Sequence, residues 1–285
     1  MTHSVKHADK HTHAVMDIEI AVCTHNERIL GVERMLLPEQ EGLAYLVAWQ
    51  RTTPEARCLH LPEGLAQRAD VRVVMTDTAG LSVNRNVALC HARGDVVVIA
   101  DDDCRYTAEG IDCIRRAYAL HPQADVVTFR MNDLAGRPMK CYPDEPFRWP
   151  KAPKGFYVSS WELTLSRRAC RVGFDPHFGI GSPFLASGEE EVWLHDVARD
   201  LPDAELRYEP LTIGCTEAGT TGTRFLTDAG VQRAKGAVLG VIHPWWGALP
   251  RLLKEAFTAR CGWGQRMAIW IQMMRGFAYL KRTRG

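Results

Sequence analysis

The chain has 285 residues, nearly half of them apolar and about a quarter charged, with a formal net charge of +1. That length buries a substantial core, as one large domain or two closely joined halves. So balanced a charge gives no general field for a polyanion, which removes nucleic-acid binding from the function classes to consider.

The first fifteen residues, MTHSVKHADKHTHAV, are polar and carry four histidines. They read as a disordered tail, because a secretion signal would show a basic start followed by an apolar core. The nine cysteines form no CxxC pair. Reduced thiols fit them better than disulfides, and a cytoplasmic location follows as the expectation. No apolar run approaches the roughly 20 residues that span a bilayer.

From Asp17 the chain alternates strand and helix. Ile18 to Cys23 is β-rich and breaks at Thr24; Leu43 to Trp49 and Val71 to Met75 have the same character. A Gly-Leu-Ser turn at Gly80 precedes a helix from Val83 to Ala92, with Val83, Val87 and Cys90 on one face, and Gly94 reads as its stop. Asp95 to Ala100, DVVVIA, is a continuous apolar run of the kind buried on both faces, and it ends in Asp101, Asp102 and Asp103. Thr107 can cap a helix carrying Ile111, Ile114, Ala117 and Tyr118, which Pro122 ends before a strand from Ala124 to Met131. Such alternation predicts an α/β fold, a mainly parallel sheet with helices on both faces. Ligands of open sheets bind beyond the carboxyl ends of the strands, where Thr24–Glu27, Asp77–Ser82 and Asp101–Asp103 all fall.

The second half has another texture. Residues 132–153 are rich in Pro and charge and read as a hairpin or loop. Ser159 to Ser166 reads as a strand, GFDPHFGIGSPFLASG as a long glycine-rich loop, and Glu189 to Arg199 as a helix. A return strand over 205–213, a small-residue loop from Cys215, and helix from about Thr227 complete the chain.

Two acidic clusters carry the chemistry. Three adjacent aspartates at a buried strand end repel one another, and a hard divalent cation, Mn²⁺ or Mg²⁺, offsets this while keeping positions open for phosphate oxygens. Strand alternation would put Asp101 and Asp103 on one side and Asp102 on the other. Glu189, Glu190 and Glu191 start a helix whose dipole favours their charge, against repulsion and burial that raise their pKa. Their spacing of about 100° per residue argues that not all three face one site.

The stretch GLSVNRNVALCHARGDVVVIADDDCRY resembles the nucleotide-sugar-binding core of family 2 glycosyltransferases. IEIAVCTHNER resembles that family's first strand and Thr-x-Asn turn, and VGFDPHFGIGSPFLASGEEEVWL its acceptor-side segment ending in a Gly-Glu-Glu motif. The three matches reach from about residue 18 to 200. The resemblance implies a GT-A fold, Rossmann-like and mixed, with a helical C-terminal extension: residues 16–130 as the nucleotide-sugar half, 131–225 as the acceptor half, and 226–285 beyond them. It implies that Thr24, Asn26 and Glu27 line the nucleoside pocket and that Arg85 reaches the donor sugar or diphosphate. It also implies that Asp102 and Asp103 bind ribose and metal, with Asp101 sharing that role. The family's acidic residues after the second strand are replaced by YLVAWQRT, so Gln50, or Asp77 from the next strand end, would take their place at the base.

The implied reaction is transfer of a sugar from a nucleoside-diphosphate sugar to a glycan or lipid-linked acceptor, with inversion. Glu190, or else Glu189, would take the acceptor proton. Arg224 in EAGTTGTRF is a candidate for contact with a diphosphate or the acceptor, and His243 for a third metal ligand. The terminal GWGQRMAIWIQMMRGFAYLKRTRG reads either as a peripheral membrane contact or as a core helix with a basic end. A binding-only protein of the same fold and a nucleotidyltransferase are the alternatives; THNER lacks the glycine-rich phosphate loop that the latter needs.

Overall fold

The computed structural model describes residues 15–217, 219 and 221–283, without the side chains of 221 and 281–283. The histidine-bearing tail falls outside the described residues. Strands Ile18–His25 (β1), Leu43–Gln50 (β2), Val71–Thr76 (β3) and Val96–Asp101 (β4) lie in the order β3-β2-β1-β4, all parallel. Cys104–Tyr106 (β5), Ala124–Asp133 (β6), Phe147–Arg148 (β7), Leu163–Ser166 (β8) and Glu205–Thr216 (β9) extend the sheet as β8-β6-β9-β5, with β7 also on β9. β8 is antiparallel to both β4 and β6, whereas β6 and β9 are parallel. The sheet is therefore mixed and the fold α/β, as the sequence predicts.

Two apolar layers cover the sheet, and strand alternation assigns residues to them. Ile20, Val22 and Val98 enter one layer, while Ala21, Cys23, Val97 and Ile99 enter the other. The helices are Pro54–Arg57 (α1), Glu63–Ala66 (α2), Leu81–His91 (α3), Ala108–Leu120 (α4), Glu189–Asp200 (α5), Ala229–Ile242 (α6), Trp245–Thr258 (α7) and Trp263–Thr283 (α8). Thr107 caps α4 by accepting from the Gly110 amide. Among the described residues no helix is long and apolar enough to cross a membrane.

Three local expectations change. After Thr24 the chain does not simply turn but winds into a 3-10 helix, Asn26–Met35, that carries Ile29, Val32 and Met35 into the core. Gly94 does not close α3 with a positive φ, because the helix ends at Ala92 in an extended conformation. Glycine is needed there for contact, since a Cβ would lie 2.7 Å from the Glu19 Cβ. Residues 159–166 split into a 3-10 turn, Ser160–Glu162, and a short β8, because the buried Glu162 carboxylate turns back to accept from the Ser159 amide at 3.0 Å.

Candidate active site

The parallel register gathers the chemistry at one end of the sheet. Cys23 lies beside Asp101, Thr24 beside Trp49, and His25 beside Gln50. A cavity of about 1000 Å³ opens beyond these ends, closed on its far side by residues 155–161, the glycine-rich loop, α5 and α6. Thr24, Gln50, Arg85, Asp101, Asp102, Asp103, Glu189 and Glu190 all line it. Asn26, Glu27 and Asp77 do not. Asn26, at φ 48°, ties the turn to Thr52 through its side chain, and Glu27 faces a smaller cavity of about 480 Å³. Asp77 points to Arg51 and Arg57, at 3.6 and 3.7 Å.

The aspartates take three different partners. Asp101 ends β4, accepting from the Ser160 hydroxyl at 3.2 Å and facing Arg85. Asp102 accepts from the Thr24 hydroxyl at 2.7 Å and from the Arg28 guanidinium in a forked pair. Asp103 accepts from the Thr216 hydroxyl at 3.2 Å and lies 3.7 Å from Arg28. Asp103 thus shares a cation with Asp102, not Asp101, because the strand ends at Asp101 and the alternation stops with it. Burial, then the charges of Asp101 and Asp102, push the Asp103 pKa up, and Arg28 opposes them.

Arg85 is not turned out as a free ligand for the donor. It is buried, and its guanidinium bridges the acidic clusters: 3.3 Å to Asp101, 3.1 Å to Glu189 and 3.3 Å to Glu190. Phe174 stacks beneath it at 5.4 Å. Burial alone would lower its pKa, but Asp101, Glu190 and Glu189 outweigh that and hold it charged. Even so, burial and the neighbouring Glu189 raise the Glu190 pKa to about 8, against the pull of Arg85. Glu191 lies 3.7 Å from Lys235 of α6. All three glutamates line the cavity, which departs from the helical-spacing expectation because the space wraps around the open start of α5.

The G-x-S-x-x-R-N segment does structural work that spacing alone did not disclose. Asn84 donates to the carbonyls of Thr24 and Ala48, both at 3.0 Å, so it pins the ends of β1 and β2. Ser82 donates to the Phe178 carbonyl, while Asn86 donates to the Phe174 carbonyl and accepts from its amide. Together they fasten the glycine-rich loop over α3. Gly181, at φ 87°, packs so closely on Gly80 that a Cβ would lie 2.9 Å from the Gly80 Cα. Gln50 donates its amide to Thr78 Oγ1 and to the Gly80 carbonyl, both at 3.1 Å. A carbonyl only accepts, so this fixes the amide orientation and leaves Oε1 as the remaining hydrogen-bonding atom. Arg28 and Ser160 are functional candidates the sequence reading missed; both act through contacts 59 or more residues distant along the chain. Arg224 pairs with Asp228 at 3.4 Å, and His243 lies outside the cavity lining, where burial and Arg251 lower its pKa.

The aspartates offer hard oxygen donors, and Asp103 is incompletely neutralised, so the donor chemistry fits Mn²⁺ or Mg²⁺. Among the described residues no group of three His, Cys, Asp or Glu side chains converges as a ligand set. Arg85 and Arg28 instead hold Asp101 and Asp102 as ion pairs.

Comparison with known proteins agrees with this geometry. The family model described as Glycosyl transferase family 2 matches residues 57–153, which include α3, β4 and the three aspartates. No curated protein sequence matches the chain. Among solved structures, S. aureus TarS 1-349 superimposes with a TM-score of 0.56 at 16% identity, covering 95% of this chain and 74% of that one. The same fragment in complex with UDP-GlcNAc gives a TM-score of 0.58 at 15% identity, over 92% of this chain and 80% of that one. A longer TarS chain gives 0.54 at 17% identity, and this chain spans 45% of its length. Residues 57–153 thus resemble family 2 glycosyltransferases in sequence, and the chain shares the GT-A-like fold of these structures, with helices α6 to α8 beyond the sheet core.

Proposed function

We propose that this protein moves a sugar from a nucleoside-diphosphate sugar to a glycan or lipid-linked acceptor, with inversion and with a divalent cation. The observation that carries the proposal is one cavity lined by both acidic clusters, with Arg85 bridging them. In this reading the departing diphosphate and the incoming hydroxyl would lie on opposite sides of the Arg85 guanidinium.

The nucleoside would sit over Thr24 and Gln50 at the strand ends. With its amide nitrogen committed to Thr78 and Gly80, Gln50 offers Oε1 as an acceptor for an N–H of the base. Asp103, which faces Arg28 together with Asp102, would hold Mn²⁺ or Mg²⁺, which when bound stabilises the negative charge on the leaving diphosphate. Arg28 is next to that site and half exposed, and it can exchange its pair with Asp102 for a phosphate oxygen. Glu190 takes the acceptor proton. Its raised pKa makes it a stronger base than an ordinary carboxylate once it is ionised. Arg85 holds both glutamates in place and pairs with Asp101 beside the leaving group. The cavity lies on a chain with a cytoplasmic, membrane-peripheral setting in this reading.

Two variants separate the halves of the mechanism. Glu190→Gln should keep donor binding and lose transfer. Asp103→Asn should lose metal-dependent donor binding and, with it, transfer by roughly 100-fold. Calorimetry and product release on both folded variants measure this, and wild-type turnover in Asp103→Asn would sink the assignment.

A further inference from the structure

The C-terminal helices carry a charge imbalance of which the catalytic cavity uses only Lys235 and Glu255. Residues 229–285 contain ten Lys and Arg against the single Glu255, a net charge of +9 in a chain whose total is +1. The same helices leave large apolar side chains in water. On α7, Trp246 and Leu253 are exposed and seven residues apart, hence on one face, and Phe257 continues that face by one turn. The Phe257 ring meets Trp263 of α8 at 5.3 Å. From Trp263 the exposed stripe runs on through Met267 and Ile271 at four-residue intervals. Trp246 and Trp263 are 67% and 68% exposed, against 0–1% for the largest core side chains. One apolar ridge therefore crosses from helix to helix, and the exposed Lys254, Arg260 and Arg275 belong to the same hairpin.

We infer that the α7–α8 hairpin is a docking surface for an anionic phospholipid bilayer. Tryptophan is the side chain that settles at the headgroup level, and lysine and arginine supply attraction to acidic lipids. An apolar ridge of this extent on a basic helical pair is complementary to such a surface and to no neutral one. α7 also supplies Glu255 to the wall of the catalytic cavity, and α6 supplies Val231, Lys235 and Val238. Docking through this hairpin thus holds the cavity about one helix diameter, roughly 10 Å, from the bilayer. That distance suits an acceptor whose phosphate-linked head group protrudes from the membrane. The inference rests on the glycosyltransferase reading only for the acceptor; the docking itself stands on the ridge and its charge.

The test is co-sedimentation of the full chain with phosphatidylcholine vesicles, with and without phosphatidylglycerol, alongside donor hydrolysis in vesicle-free solution. The wild-type protein should sediment with the anionic vesicles only and be released by high salt. Trp246→Ser with Trp263→Ser should lower partitioning at least about tenfold, and Lys254→Glu with Arg275→Glu should do the same while leaving the ridge intact. Both variants should keep the wild-type melting temperature and donor hydrolysis. Absence of wild-type binding, or unchanged binding in both variants, overturns the docking surface. So does a wild-type dimer that the tryptophan variant converts to monomer, because the ridge would then belong to a second copy of the chain. Donor hydrolysis reports separately on the catalytic reading, so the two can fail independently.

Discussion

Replacing Glu190 by Gln removes a carboxyl group that folding holds protonated far above its ordinary range. The unfolded chain releases this proton near 4.5 and the folded protein near 8. Between those values the unfolded state binds fewer protons, so stability falls as pH rises through the window, and below it the effect vanishes. At pH 7 the gap corresponds to an upper bound of roughly 3 kcal/mol, at about 1.36 kcal/mol per pH unit. Glu190 retains 16% exposure and shares Arg85 with Glu189, so about half of that, ~1.5 kcal/mol, is the expected gain. Arg85 keeps Asp101 and Glu189 as partners in the variant, so no buried cation is stranded. Glu190→Gln should therefore melt about 2–5 °C higher than wild type at pH 8 and near wild type at pH 4.5. Thermal unfolding of both proteins across that range is the assay. An increment that is independent of pH, or negative at pH 8, would refute the reasoning.

Three further outcomes follow from the same contacts. If Glu190 takes the acceptor proton, kcat/KM should rise with pH through an apparent pKa well above the ordinary carboxylate range, and a profile flat from pH 5.5 to 9 would remove it as the base. Arg85→Met strands three carboxylates around a buried site and should cost about 3–5 kcal/mol in urea unfolding. Added Glu190→Gln should recover more of this loss than the gain it gives the wild-type protein, which strict additivity would exclude. Arg28→Gln frees Asp102 and Asp103 from their cation, so Mn²⁺ affinity without nucleotide, read by calorimetry, should rise roughly threefold to tenfold. A fall would show that Arg28 supports the metal site instead of competing with it.

The sequence discloses much of this fold because its signals are local. Val96 to Ala100 is buried on both faces, Thr107 caps its helix, and the alternation of strand and helix through Asp101 appears in the sheet order β3-β2-β1-β4. The candidate site is legible where a strand end fixes position, as for Thr24, Gln50 and the aspartates. It is not legible where long-range contacts decide. Asn26 resembles a ligand and ties a turn to Thr52, and Asp77 is drawn out by two arginines, one just after β2 and one at the end of α1. Arg85 becomes a buried bridge only when the loop before α5 folds back over α3. The pairing of Arg28 with Asp102 spans 74 residues and has no local signature.

Release of nucleoside diphosphate from a panel of nucleotide sugars, with Mn²⁺, with Mg²⁺ and with chelator, tests the central claim most directly. One donor should be turned over, chelation should stop that turnover, and Glu190→Gln should bind the donor without transferring its sugar. Turnover that chelation does not touch would contradict the role given to Asp103. A protein that binds no donor under any metal condition would contradict the catalytic reading of the cavity itself.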